Sequence, residues 1–371
     1  MLYIDPAPAH AQEYEVTCSS QTQTPNVIRN EGKTEQIADY FFSCYNYGEA
    51  TTATVSVTIS PTISITSRNL TGGVTEAALI VQDSTGQQTP QTILGTVSGS
   101  IVTFSNFTLP HSSNTSAYQP FNLTVTNIRV DASPLAGGST LSEAVSVSGT
   151  NVTPATFAAA QIAQVQSGLG AQSVTGAVNF PVCSTVTPAT PAFMVKFGEN
   201  SVSPAAFKTQ GGSGNITVGS WATNNTETGY YLPTDGPPLN LANSGTRLRI
   251  LFTNIPNNVS VYVPLTVASD QLVELTPAGT IGLTATEAGP YSVGLTQLTV
   301  TNGTAEAVYE VLSDSATVVE SYGVAVYLAS SGVISPQTWI SAAVSFAPSL
   351  RASALSVASQ VKVSSVRPKW P

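Results

Sequence analysis

Apolar and polar residues alternate with a period of two along most of the chain, and the 3.6-residue period of an amphipathic helix is nearly absent. Val55, Val57, Ile59, Ile63 and Ile65 alternate with Ser and Thr, broken at Pro61-Thr62. This predicts two strands, or one bent strand with Pro61 at an edge or corner, because proline cannot donate to a ladder. Phe121, Leu123 and Val125 share one face. Ile128 and Val130 continue with the phase shifted by one, which predicts a bulge near Thr126-Asn127. Leu248, Ile250 and Phe252 alternate with Arg247, Arg249 and Thr253. A turn at Ile255-Pro256-Asn257-Asn258 then leads to Val259, Val261 and Val263, which reads as a hairpin. Leu298 and Val300 lead into Asn302-Gly303, the pair suited to a type I′ turn because both positions need positive φ; the returning strand starts at Ala305. Tyr322, Val324, Val326 and Leu328 form a further apolar face.

Strands spaced this way, with Gly, Pro and Asn between them and no strand–helix alternation, predict an all-β chain of antiparallel sandwiches. With 371 residues there is enough chain for two. The expected architecture is two tandem antiparallel β-sandwich domains, Ig-like or Greek-key-like, with extended N- and C-terminal strands. Its expected bounds are an N-terminal extension or leader remnant over 1–11, a first domain over 12–153, a linker over 154–180, a second domain over 181–350 and a basic tail over 351–371. The stretch from Phe157 to Gln166, rich in Ala and Gln, reads as a helix or equally as a strand linking the domains.

Composition narrows the function. Apolar residues make up 42% of the chain and charged residues 9%, far below the ~25% of an ordinary soluble domain. Ser, Thr, Asn and Gln must supply the polar surface, which suits a protein packed against its own copies or against glycans outside the cell. The net charge of −9 argues against nucleic acid. No run of apolar residues is long enough for a membrane helix. Cys18 and Cys44 fall in the first domain, and a disulfide between them would require an oxidising compartment. Cys183 reads as a buried free thiol. Ala9-His10-Ala11 matches a signal-peptidase site without the basic and apolar regions that precede one, so export is expected by a signal peptide missing or truncated here.

The ends carry the sharpest pattern. Arg351, Lys362, Arg367 and Lys369 are four of the 12 basic residues, and no acidic residue lies among them. Leu355, Val357, Val361 and Val363 alternate between them as an amphipathic strand without a hairpin partner. At the other end, Leu2, Ile4, Tyr14 and Val16 offer a similar strand. An unpaired strand exposes backbone donors and acceptors and needs a sheet edge. It finds one in its own domain or in a neighbour, and head-to-tail exchange would build a filament.

Catalytic chemistry is sparse. There are two histidines: His10 lies in the leader-like segment and His111 in a polar loop. Glu306 and Glu310 share a strand face at ~13 Å, too far apart for a glycosidase pair. Ser359-Gln360-Val361-Lys362 is a chance Ser-x-x-Lys match in a Ser-rich tail. No Cys/His cluster has zinc spacing and no EF-hand loop or phosphate-binding glycine pattern is present, so no metal or cofactor is expected. Trp221, Tyr230 and Tyr231 flank a Gly-, Ser- and Asn-rich loop and are candidates for stacking on sugar rings. Nine Asn-x-Ser/Thr sequons occur, as an Asn- and Thr-rich chain produces by chance.

Three stretches carry a resemblance. Asn30-Glu31-Gly32-Lys33-Thr34-Glu35-Gln36-Ile37-Ala38-Asp39, followed by Cys44, is one. Ser244-Gly245-Thr246-Arg247-Leu248-Arg249-Ile250 with Phe252-Thr253-Asn254-Ile255-Pro256-Asn257-Asn258-Val259 is another, and Phe193-Met194-Val195-Lys196-Phe197-Gly198-Glu199 to Ala206-Phe207-Lys208 fits more loosely. They resemble a large set of exported, β-rich bacterial proteins of Acidobacteria-type lineages. The resemblance implies an extracellular life and transfers no catalytic residue. The expectation is therefore a non-enzymatic structural subunit of an extracellular filament or surface assembly, polymerising head to tail with its own copies by strand addition. The alternative is a monomeric secreted adhesin or glycan-binding β-sandwich protein.

Overall fold

The computed structural model describes residues 16–347 apart from 22–23, 48–51, 71, 85–89, 112–117, 150–151, 176–189, 203–205, 210–244, 269–279, 284–293, 315–317 and 333–339. The chain is all-β. In order the strands are β1 (Val16–Ser20), β2 (Asn26–Arg29), β3 (Glu35–Gln36), β4 (Tyr40–Asn46), β5 (Thr52–Ser60), β6 (Ala78–Asp83), β7 (Gln91–Leu94), β8 (Thr96–Ser98), β9 (Ile101–Thr108), β10 (Gln119–Thr126), β11 (Arg129–Val130), β12 (Thr140–Gly149), β13 (Val152–Thr156) and β14 (Ala160–Gln166). There follow β15 (Ser173–Thr175), β16 (Phe193–Gly198), β17 (Arg247–Thr253), β18 (Val259–Pro264), β19 (Thr266–Ala268), β20 (Thr280–Leu283), β21 (Leu295–Gln297), β22 (Ala305–Ser313), β23 (Ser321–Ser330) and β24 (Ser341–Phe346).

The sheets gather on two separate cores. One sheet runs β1-β4-β10-β6-β7, and a second runs β2-β14-β12-β5-β9-β8 with β13 beside β12. Tyr40, Phe42, Phe121 and Leu123 of the first sheet meet Val55, Val57, Phe104 and Leu141 of the second in one buried cluster. The second core lies between β15-β16-β23-β18-β21 and β19-β20-β22-β17-β24. There Val195, Phe197, Val261 and Val324 pack against Leu248, Ile250, Phe252 and Tyr309. The alternation seen in the sequence is the inside–outside alternation of these strands. Among the described residues no helix is long and apolar enough to cross a membrane.

Several sequence expectations change. The turn at residues 255–258 does not close a hairpin. β17 pairs with β22 and β24, whereas β18 pairs with β23 and β21, so the chain crosses from one sheet to the other. Asn254 at φ 62° makes the corner, and Ile255 is buried within it. Both strands bury an apolar face, and alternation alone does not say which sheet each face belongs to. The phase shift after Val125 is likewise a corner and not a bulge. Asn127 takes φ 59°, β10 stops, and β11 pairs with β3 in a separate two-stranded ribbon. The Asn302-Gly303 turn forms with positive φ at both residues, but its ladder is the single bridge between Thr301 and Thr304.

Within the expected linker over 154–180, residues 160–166 form a core strand, β14, and 176–180 lie outside the described residues. β14 pairs antiparallel with β12 across one register shift and parallel with β2, burying Ile162, Ala163 and Val165 in the first core. Phe157 packs against the same core as a loop residue before β14, so the Ala- and Gln-rich stretch is a strand and not a helix. The passage between cores shrinks to residues 167–172. At the N-terminus, β1 pairs along its length with β4 and Val16 is buried, so from Val16 onward this strand is satisfied within its own sheet.

Candidate functional site

Two features stand out: an exposed aromatic row on the first core's outer surface, and a buried polar junction between the cores.

The row is built on β4. Tyr40, Phe42, Cys44 and Asn46 face inward, and Asn46 Nδ2 donates to the Pro110 carbonyl at 3.0 Å. The intervening residues Phe41, Ser43 and Tyr45 face out, and Tyr47 follows the strand end. Tyr45 and Tyr47 are 41% and 47% exposed, and Tyr118, which leads into the neighbouring β10, is 57% exposed. The ring centroids of Tyr45 and Tyr118 lie 5.3 Å apart, edge to face, and those of Tyr47 and Tyr118 lie 5.9 Å apart. Three clustered tyrosines kept in water are unusual, because burying such rings is among the largest gains available to a core. Next along the strand is a polar row. Gln21 Nε2 donates to Ser43 Oγ at 3.0 Å, and Ser43 Oγ donates to Asn122 Oδ1 at 3.3 Å. The surface thus offers aromatic rings beside hydroxyl and amide groups.

β1 is stapled to β4 behind this surface. Cys18 and Cys44 are directly opposed in the ladder and joined by a disulfide.

The junction begins with Arg29 at the end of β2. Its Nε is 3.0 Å from Glu35 Oε1, and its Nη1 donates to the Ala206 carbonyl at 2.8 Å and to Thr246 Oγ1 at 3.0 Å. The guanidinium stands 5.4 Å from the centre of the Phe346 ring. From the second core, Lys208 Nζ donates to Glu35 Oε1 at 2.8 Å. Burial alone would raise the Glu35 carboxyl, but the Lys208 ammonium and Arg29 guanidinium outweigh it and hold it below the usual range. Burial lowers the Lys208 ammonium to about 8, against the opposing pull of Glu35. Behind Glu35, the buried Arg129 donates through Nη1 to the Thr34 carbonyl and through Nη2 to Gln36 Oε1, both at 3.2 Å. Its Nε lies 3.6 Å from Glu76. Polar contacts therefore run from Glu76 through Arg129 to the Thr34–Gln36 segment of the first core, and from Glu35 within it through Lys208 and Arg29 to Thr246 of the second.

The connecting segment is fixed in the same way. Glu31 accepts from Ser167 Oγ and the Gly168 amide, at 3.0 and 2.9 Å. Gln172 pairs its side-chain amide with both backbone groups of Val344, at 2.9 and 3.0 Å, capping the β24 edge. Glu199 accepts from the Phe207 and Glu320 amides at 2.8 and 3.0 Å. Burial nevertheless raises its carboxyl to about 8, with the Asp314 and Glu320 charges adding to that rise.

Among the sequence candidates, Cys18 and Cys44 come together as described. Trp221, Tyr230 and Tyr231 lie outside the described residues, as do Cys183 and the tail positions Arg351, Leu355, Val357, Val361, Lys362, Val363, Arg367 and Lys369. Glu306 and Glu310 part in role. Glu306 is half-exposed and pairs with Arg249 Nη2 at 2.7 Å, whereas Glu310 is buried and accepts from the Gly245 amide at 2.9 Å. Among the described residues no group of three His, Cys, Asp or Glu side chains is placed to hold a metal. The tyrosine row was missed, although Tyr40-Phe41-Phe42-Ser43-Cys44-Tyr45-Asn46-Tyr47 puts aromatic rings at both parities of one strand, and only one parity can face the core. The stretches 30–39, 193–208 and 244–259 supply Glu31 and Glu35, Glu199 and Lys208, and Thr246 to the junction and its surroundings.

No protein-family model and no curated protein matches the sequence. Solved structures align along most of the chain at low similarity. A DUF4466 family protein from Parabacteroides merdae aligns at TM-score 0.25 and 8% identity, over 80% of this chain and 98% of that one. The C-terminal domain of the Streptococcus pyogenes antigen I/II-family protein AspA aligns at 0.29 and 5%, over 90% and 96%. The CupB6 tip adhesin from Pseudomonas aeruginosa aligns at 0.21 and 8%, over 85% and 94%. Scores this low leave the functional reading to the molecule's own residues.

Proposed function

We propose that this chain is an extracellular, non-enzymatic β-sandwich protein that binds carbohydrate at a surface, in the manner of an adhesin or glycan-binding module. The observation that carries the reading is the solvent-facing cluster of Tyr45, Tyr47 and Tyr118 beside Ser43 and Asn122. Aromatic rings take the C–H face of a sugar, and neighbouring hydroxyls and amides take its hydroxyl groups. The Cys18–Cys44 disulfide supports a life outside the reducing cytosol, and the low charge content, 9% of residues, suits it. Retention on a panel of immobilised polysaccharides is the direct test. Tyr45→Ala and Tyr118→Ala are expected to weaken retention about tenfold each, equivalent to about 1.4 kcal/mol, with unchanged thermal melting. Retention equal to the unaltered protein removes the reading.

A second reading is assembly by strand addition with residues 351–371 as donor. It is supported by the basic amphipathic pattern of that tail and by β1, which is the edge strand of its sheet among the described residues. β24 is a poorer acceptor because Gln172 already occupies Val344. Deleting 351–371 is expected to leave folded protein that forms no fibres by negative-stain microscopy. Fibres unchanged by the deletion exclude it.

A further inference from the structure

The same surface specifies a kind of carbohydrate. Resting on the carbohydrate reading above, we infer that the β4 face binds the side of a neutral polysaccharide chain, along several consecutive sugar rings, and not an acidic glycan or a chain end.

Charge gives the first half. β1, β4 and β10 present Thr, Ser, Phe, Tyr, Pro and Asn side chains outward, and none of these is charged. The carboxylate immediately before β4, Asp39, is partly buried; it accepts from Thr126 Oγ1 at 2.7 Å, and burial raises its carboxyl. A uronate or sulfated sugar laid on this face would lose water, gain no cation from the outward residues of β1, β4 and β10, and meet a chain of net charge −9. A neutral sugar loses nothing of the kind. Its hydroxyls find Gln21, Ser43 and Asn122, which already form a hydrogen-bonded row and so need little ordering on binding.

Shape gives the second half. From Phe41, itself 37% exposed, to Tyr47 the row covers six residue steps of nearly straight backbone. At the rise of a β-strand this is ~20 Å, longer than any single sugar ring. Among the described residues Phe41, Tyr45, Tyr47 and Tyr118 stand exposed on the outer face of a sheet, a geometry that grips a chain from the side.

The experiment uses the full chain and affinity electrophoresis in gels containing neutral polymers (a β-glucan, a mannan, a xylan) or acidic ones (alginate, polygalacturonate, heparin). The expected result is retardation by at least one neutral polymer, unchanged at 0.5 M NaCl and reduced about tenfold by Tyr118→Ala. Oligosaccharides should compete better as they lengthen, and the monosaccharide should not compete. Retardation by acidic polymers alone, falling with salt, overturns this inference while leaving carbohydrate binding intact. Competition by the monosaccharide as strong as by the longer oligomer overturns the chain-side geometry. No retardation in any gel overturns both this inference and the reading beneath it. A Tyr118→Ala change from oligomer to monomer in sedimentation, without polymer binding, makes the face a self-contact and overturns both as well.

Discussion

Lys208 Nζ stands 2.8 Å from Glu35 Oε1, a salt bridge closed between residues 173 positions apart that belong to different cores. Glu35 also holds Arg29, so one carboxylate is shared by two cations at the junction. Breaking one partner of a buried pair leaves the other desolvated, at a cost of about 3–5 kcal/mol. Because Arg29 remains to hold Glu35, Lys208→Met should cost nearer the low end, about 3 kcal/mol, read as a fall in the urea midpoint. Glu35→Gln should be more damaging because it strands two cations. The double variant should cost less than the sum of the two, and additive losses would show that the two residues do not act together. The pH sign follows from Glu35. Its carboxyl is held below the ordinary value, so its stabilisation is present above about pH 4.5 and disappears as pH falls through the native value. Glu35→Gln should therefore remove part of the acid sensitivity of wild type.

At Gly168 and Gly170 the passage between cores has room for bare backbone only. A Cβ on Gly170 would stand 2.6 Å from the Glu199 carbonyl oxygen, and one on Gly168 would stand 2.9 Å from the Phe346 ring and 3.1 Å from Arg29 Cβ. The Gly170 amide also donates to the Gly198 carbonyl at 2.9 Å. Its obstacle is rigid backbone, whereas Gly168 meets side chains that can give way. Gly170→Ala should therefore destabilise more than Gly168→Ala, by about 1–3 kcal/mol against a smaller loss. Equal effects in chemical denaturation would count against a close-packed crossing.

The Cys18–Cys44 disulfide joins residues 26 positions apart on paired strands. Closing a loop of that length stabilises by about 3–4 kcal/mol in the chain-entropy model. Replacing both cysteines with serine should lower stability by about that amount and remove the response of the urea midpoint to dithiothreitol. Because the ladder of β1 in its sheet is to β4 alone among the described residues, its amides should also lose hydrogen-exchange protection first. Unchanged protection in β1 would show that the ladder holds it alone.

What the sequence made legible was the inside–outside register of single strands. Val55, Val57 and Ile59, or Tyr322, Val324 and Val326, are buried as their alternation requires. Period-2 alternation says that a face is buried but not against which sheet, and so β17 and β18 read as a hairpin when they are a crossover. The corners rest on Asn127 and Asn254 at positive φ, a conformation that asparagine tolerates but does not announce. The junction was invisible for a different reason. Arg29, Glu35, Lys208 and Thr246 are ordinary polar residues whose partners lie up to 217 positions away. The polar stretches around them looked like surface, and only the tertiary fold turns them inward. The tyrosine row was legible in part, since aromatic residues at both parities of β4 require that one set be exposed.

Glu143 is the exception to that register. It sits on the inward parity of β12 with Leu141, Val145 and Val147, opposite Ile59 of β5, and is 1% exposed. Its Oε1 has no hydrogen-bond partner among the described residues. Burial raises its carboxyl to about 8, and the nearby Asp39 charge adds to the rise. A carboxyl raised in the folded state binds its proton more tightly there than in the unfolded chain. Its contribution is therefore fully present below about pH 4.5 and is lost progressively as pH rises to about 8. A shift of that size is worth about 5 kcal/mol at most, and relaxation of the site reduces it. Glu143→Gln keeps the shape of the side chain and cannot ionise. It should be about neutral at pH 4.5 and stabilising on the order of 1–3 kcal/mol at pH 8, flattening the decline of the urea midpoint across that window. A Glu143→Gln profile that falls in parallel with wild type would show that Glu143 does not titrate there.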